Sequence, residues 1–199
     1  MSFANRIAAA AALAAWLALV AQSGAAHAQA PGGPYAGQQT RAIKALSEQD
    51  IAGLLEGQGA GFAKAAELNG YPGPAHTLEL QDRLGLSPGQ VAASQNLMAA
   101  HKARARALGA TLVDAERKLD ALFARQQASP ESIDSTTREI GALQARLRAE
   151  HLATHLTQTA LLDVHQVARY NVLRGYADAK AAEPAAGTAV PAPTHRQHH

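Results

Sequence analysis

Cysteine is absent from the 199 residues, which excludes disulfides, thiolate metal ligands and a cysteine nucleophile. Aromatic side chains make up only 4% of the chain, so the large apolar groups that fill a deep globular core are scarce. An excess of one charge is missing too. Eighteen Lys and Arg against 16 Asp and Glu leave a net +2, too little to imply a polyanion such as nucleic acid as partner. A chain of this length holds one domain plus tails. What it has in quantity is alanine within a hydrophobic fraction of 47%, and alanine-rich, aromatic-poor chains favour helices packed closely in thin layers.

The longest apolar run stands at the start. Residues 1–28 read as a secretory signal: Met1 to Arg6 supplies one positive charge, Ile7 to Ala21 carries Leu13, Trp16, Leu17, Leu19 and Val20, and Ala26-His27-Ala28 matches a small-residue cleavage site. At about 1.5 Å per residue the run falls short of a hydrocarbon core about 30 Å thick. The expectation is export to the periplasm, no stable membrane insertion, and a mature chain beginning at Gln29; the alternative is a retained anchor. Residues 29–42 are expected to be flexible, residues 43–180 to form a helical domain, and residues 181–199 to be a disordered Ala/Pro tract ending in His-Arg-Gln-His-His.

Within the helical domain, Ser47-Glu48-Gln49-Asp50 opens a helix with Ile51, Leu54 and Leu55 on its apolar face. Gly53, Gly57, Gly61 and Ala65 then recur every fourth residue, which predicts either one smooth stripe for close packing or a local break. Gly57, Gly59 and Gly61 do not make a phosphate loop, since no Lys-Ser/Thr follows and no strand precedes. Asn69-Gly70 to Pro74 is a stop and turn, and His76 to Leu84 is expected as a short helix. Ser87-Pro88-Gly89-Gln90 places Ser at an N-cap, Pro at the first helical position and Gln three residues after the cap. The helix it opens has a seam at Val91, Ser94, Met98, His101, Ala105, Leu108, Leu112, Ala115, Leu119 and Leu122, in steps of three and four. Ser129-Pro130-Glu131 restarts the chain, and Ile133, Thr137, Ile140, Leu143 and Leu147 carry a second long helix, so the pair folds as an antiparallel hairpin. Leu162-Asp163-Val164-His165-Gln166 repeats the first cap and opens a last helix that ends near Gly175.

These two boxes, Leu86-Ser87-Pro88-Gly89-Gln90 and Leu162 to Gln166, resemble the paired Leu-Thr-x-x-Gln motifs of the periplasmic Spy/CpxP group, whose relatives include the metal-binding proteins ZraP and CnrX. The resemblance covers Ile43 to Tyr176. The first box has Ser for Thr and Gly for the usual Glu; the second has Asp at the cap, Val for Pro and His for Glu. The resemblance implies an all-α, curved, usually dimeric protein of the envelope stress response. Such proteins hold unfolded clients or sense and buffer metal ions, with an unfolded protein or a stress-signalling component as partner.

The residues themselves offer one metal-binding constellation. His151 and His155 are four apart, the spacing that lets two imidazoles reach one ion, and at about 100° per residue both continue the apolar stripe of Ile133, Ile140 and Leu147. With the turn centred near Ser129, facing residues have numbers summing to roughly 258, which brings His155 within about a turn of His101. His101, His151 and His155 are therefore expected to converge on zinc or another divalent transition metal. The alternative is that all three are polar spacers. Glu150 points in an adjacent direction, His165 belongs to the cap, and His195, His198 and His199 lie on the tail.

An enzyme is not expected. Leu152 stands where zinc peptidases of the H-E-x-x-H type carry their glutamate, and no Ser/His/Asp group or paired-acid site replaces it. A client-holding surface is the other reading. Lys102, Arg104, Arg106, Arg117, Lys118 and Arg125 are basic, while Leu97, Val113 and Phe123 lie off the seam; Lys102, Arg106, Arg117 and Phe123 are the expected contacts. Against it, Asp114, Glu116 and Asp120 neutralise much of that surface. One narrow seam leaves apolar flanks for a second subunit to cover, so a homodimer is expected. Metal-responsive envelope protection is the leading function and a metal-independent holdase the alternative.

Overall fold

A computed structural model describes residues 33–178. The expected signal segment and the histidines of the tail lie outside the described residues. The chain divides into two units, Met1–Thr40 and Arg41–His199. Of the first, residues 33–40 are a run of turns closed by short backbone bonds such as Ala36 N to Gly33 O at 2.9 Å.

The second unit is all-α. Its seven helices among the described residues are α1 (Glu48–Glu56), α2 (Lys64–Glu67), α3 (Pro74–Glu79), α4 (Gln81–Leu84), α5 (Pro88–Ala124), α6 (Pro130–Ala160) and α7 (Val164–Leu173). No strand occurs among these residues. The long pair is an antiparallel hairpin of 37 and 31 residues. Each long helix starts where a cap satisfies its first amides. Ser87 Oγ accepts from Gln90 N at 3.2 Å while Gln90 Oε1 accepts from Ser87 N at 3.0 Å, and Ser129 and Ser132 reciprocate in the same way at α6. Among the described residues, no helix is long and apolar enough to cross a membrane.

The core is the strip where α1, α5 and α6 meet: Leu54 of α1, Ala105, Leu112, Val113 and Ala115 of α5, and Ile140, Leu143 and Leu147 of α6, with Ile43 beneath them. Small residues make this contact close. A Cβ on Gly109 would fall 2.1 Å from Leu54 O, so only glycine lets the α1 backbone rest on α5. Val113, expected off the seam, is 2% exposed. The buried face of α5 is widened on that side because α1 covers it as well as α6.

Three further expectations are refined. The glycine stripe is a break: α1 ends at Glu56, and Gly57 (φ 68) and Gly61 (φ 78) are left-handed, a conformation open to glycine at little cost. The segment from His76 to Leu84 is two helices, interrupted at Leu80. The hairpin register also slips. Lys118 meets Glu139 as expected to within a residue, but Ser94 meets Gln158 and His101 meets Thr154, so the offset from the expected register grows away from the turn.

At the open end of the hairpin the two cap glutamines find each other. Gln90 Nε2 donates to Gln166 Oε1 at 2.8 Å and Gln166 Nε2 donates to Gln90 Oε1 at 3.1 Å. Gln90 Nε2 also reaches Leu161 O at 2.9 Å. Each glutamine thus caps its own helix and ties α5 to the start of α7. Leu86 and Leu162, which precede the caps, are half-buried.

Candidate functional site

Beyond Leu147 the seam between α5 and α6 turns polar. Ser94, His101, His151, Thr154 and Gln158 are all buried there. Above His101 and His151 the loop after α1, helix α2 and the start of α3 close over the hairpin and leave a cleft of about 470 Å³. Its lining brings His101, His151 and His155 to one space, together with Met98, Glu67 and Gly59.

His101 and His151 are neighbours, their rings edge to face with centroids 4.6 Å apart. Their tautomers follow from their partners. His151 Nδ1 lies 2.9 Å from Leu147 O, a carbonyl that only accepts, so Nδ1 carries the proton and Nε2 keeps its lone pair. That Nε2 is buried with no hydrogen-bond partner. His101 Nδ1 lies 3.2 Å from Glu150 Oε1 and 3.0 Å from Thr154 Oγ1; the Thr154 hydroxyl donates to Glu150 O at 2.9 Å, so His101 Nδ1 donates and its Nε2 too is a lone-pair nitrogen. His155 Nδ1 donates to Tyr71 O at 2.8 Å. All three imidazoles are therefore held through Nδ1 by an oxygen, the arrangement that orients metal-ligating histidines and raises their basicity.

The charges around the pair are ordered. Burial lowers the His101 imidazole's pKa below its usual value, against a smaller opposing pull from its bond to Glu150. Burial alone raises the Glu150 carboxyl, but hydrogen bonds from Arg104 and His101 outweigh it and hold Glu150 below its ordinary value. Arg104 reaches Glu150 at 2.9 Å. Glu150, set aside in the sequence as pointing elsewhere, is thus the group that orients His101.

His155 stands apart from the pair. Position 157 was expected opposite His101 and Thr154 is found there; His155, the next residue round the helix, turns away, and its ring lies against Gly73, where an added Cβ would come within 2.7 Å of it. Its nearest carboxylate is Glu67, whose Oε2 is 3.6 Å from His155 Nδ1. Glu67 Oε1 accepts from Tyr170 at 2.6 Å, and burial followed by that bond pushes the Tyr170 phenol far above its usual range, so it stays a donor. Among the described residues, no three His, Asp or Glu side chains stand close enough together to share one ion. The residues fit a metal as an imidazole pair, with a third imidazole in the same cleft.

The sequence reading placed Met98 on the seam but not in the site, and it passed over Thr154 and Glu67. Met98 and Thr154 were legible as seam neighbours of His101 and His151, but Glu67 reaches the site only through α2 and α7. The expected client contacts Lys102, Arg106, Arg117 and Phe123 are all exposed, Phe123 at 57%. Arg117 pairs with Asp114, Arg106 Nε donates to Glu56 O, and Lys102 lines the histidine cleft. His165 is exposed beside its cap. No protein-family model, curated protein or solved structure matches the chain.

Proposed function

We propose that this chain is a metal-responsive helical protein of the cell envelope, of the Spy/CpxP type, whose ion-binding element is the cleft over the polar half of the hairpin. The observation that carries the reading is the buried, partnerless Nε2 of His151 beside the His101 ring. A buried acceptor left without a partner costs about 1–3 kcal/mol, and a divalent ion is one occupant that would use it together with the lone-pair nitrogen of His101. His101 and His151 act as the protein ligands, and water completes the shell. Zinc suits an all-nitrogen set with a carboxylate nearby.

The test is thermal unfolding of the periplasmic form against zinc concentration, with the tail beyond Lys180 removed. Binding to the folded state alone raises the midpoint with free ion. His151→Ala and His101→Ala should abolish that rise and His165→Ala should keep it; equal behaviour of the three variants rules the site out. Because ligation needs neutral imidazole, the rise should fade as pH drops through the histidine range.

The second reading, a metal-independent holdase, is favoured by the exposure of Phe123 on α5 and of Leu156 at 58% on α6. The metal-free protein should then suppress aggregation of an unfolded client, less so at high salt. A homodimer belongs to either reading. The flank of the hairpin between Ala107 and Leu108 of α5 and Leu143 and Ala149 of α6 is an open groove, and light scattering on the purified protein tests whether a second copy fills it.

A further inference from the structure

The loop that follows α1 lies directly over His151. A Cβ built on Gly59 would sit 3.7 Å from His151 Cδ2 and 3.9 Å from its Nε2, and the Phe62 ring is 5.8 Å from the His151 ring. The nitrogen that the metal reading needs is itself buried under protein. A zinc ion bonded to an imidazole nitrogen stands about 2.0–2.1 Å from it and carries further ligands around it. With His151 Nε2 buried, that shell forms only if the protein over the nitrogen moves.

The covering loop is built to move as a short piece. Among the described residues no hydrogen bond joins residues 58–66 to α5 or α6. The backbone bonds of the loop are local: Gln58 N to Gly53 O at 2.8 Å, Phe62 N to Gly59 O at 2.7 Å and Lys64 N to Gly61 O at 3.2 Å. Left-handed residues punctuate it at Gly57 (φ 68), Ala60 (φ 41) and Gly61 (φ 78). Ala60 holds a conformation that L side chains adopt at a cost, so strain is stored in the middle of the loop. Both ends, by contrast, are anchored. Gly57 packs so closely on α5 that a Cβ there would meet Ala105 and Lys102 O at 3.2 Å, and α2 is held through the Glu67 to Tyr170 bond of 2.6 Å.

We infer that residues 58–63 are a cover over the His101 and His151 pair that must swing off His151 for an ion to be held, so that ion binding is transmitted to the surface as a displacement of this loop and of Phe62. The inference rests on the metal reading of the cleft. Closure lowers the apparent affinity by the fraction of time the cover is open, which makes the loop a regulator of the site as well as its reporter.

The experiment is hydrogen exchange on the full chain with and without zinc, alongside calorimetric zinc titration. The amides of Phe62 and Lys64 should lose protection when zinc is added, while those of α5 near Leu112 keep theirs. Two variants carry the test further. Phe62→Ala removes the ring that packs the cover on His151 and should tighten zinc binding several-fold; Gly59→Ala thickens the cover at ordinary contact distance and should weaken it. Zinc binding with unchanged or slower exchange at Phe62 and Lys64 overturns the cover and leaves the metal site standing. Absence of calorimetric binding removes both.

Discussion

The two halves of the hairpin are held by different forces. Near the turn the seam is apolar, with Leu112, Val113, Ala115, Ile140 and Leu143 buried together. Away from the turn it is polar, with Ser94, His101, His151, Thr154 and Gln158 buried. The apolar half gains from burial, which has no direction and tolerates small shifts. The polar half depends on bonds that must each be made. Ser94 accepts from Gln158 Nε2 at 3.0 Å, yet Gln158 Oε1 and His151 Nε2 are buried with no partner. Even Thr136 in the apolar half meets Ser132 O at 2.7 Å; only Glu116 complicates that half, where burial holds its carboxyl above the usual value. Unfilled bonding capacity is concentrated in one half of the seam, and the cleft lies over that half. One half is a clamp and the other is where a ligand has something to gain.

The largest expected effect comes from the clamp. Leu112→Ala should cost about 2–5 kcal/mol through lost burial and the cavity left behind, read as a lower urea midpoint with little change in slope. In the polar half, Ser94→Ala leaves the Gln158 amide without its only acceptor, and a buried group so orphaned costs about 1–3 kcal/mol. If Ser94→Ala proved as costly as Leu112→Ala, the two halves would not differ in kind.

Acid sharpens the comparison further. The folded state holds the His101 pKa below the value of 6.5 it takes when free. Above that value both states are neutral and its full stability is present. As pH falls through it the unfolded chain takes a proton that the folded site resists, and stability drops until the folded pKa is passed. Glu150, lowered from 4.5, contributes stability that is lost in its turn as pH falls below that value. Amides of α5 around His101 should therefore lose exchange protection between neutral and mildly acid pH before those around Leu112, and His101→Gln should flatten the upper part of the profile. The smallest effect belongs to the surface: Lys118 and Glu139 bridge α5 and α6 at 3.2 Å in full solvent, and a double-mutant cycle on them should return about 0–1 kcal/mol.

Much of this was legible before any coordinate, because much of it is local. Ser47, Ser87, Ser129 and Asp163 cap their helices as their neighbours at the third position dictate, and a capping box involves only four consecutive residues. The seam of α5 was legible for the same reason, since periodicity places side chains on a face whatever lies opposite. The register was not. A helix face says which residues point inward, but the loop that joins two helices decides how far one slides along the other, and here Thr154 rather than position 157 arrives at His101. The tie between Gln90 and Gln166 spans 76 positions and that between Glu67 and Tyr170 spans 103, and no local rule reaches so far.

By itself, then, the sequence determined an all-α chain, the starts of its capped helices, the hairpin and the imidazoles of His101 and His151 on its seam, because each of these follows from bonds and periodicities within a few residues. Only the tertiary structure decided that Val113 is covered, that Glu150 orients His101, and that the loop around Gly59 lies over His151. Those outcomes depend on where α1 and its following loop settle on the hairpin, and that position is set by the close approach of Leu54 to Gly109, a contact between segments that are distant along the chain.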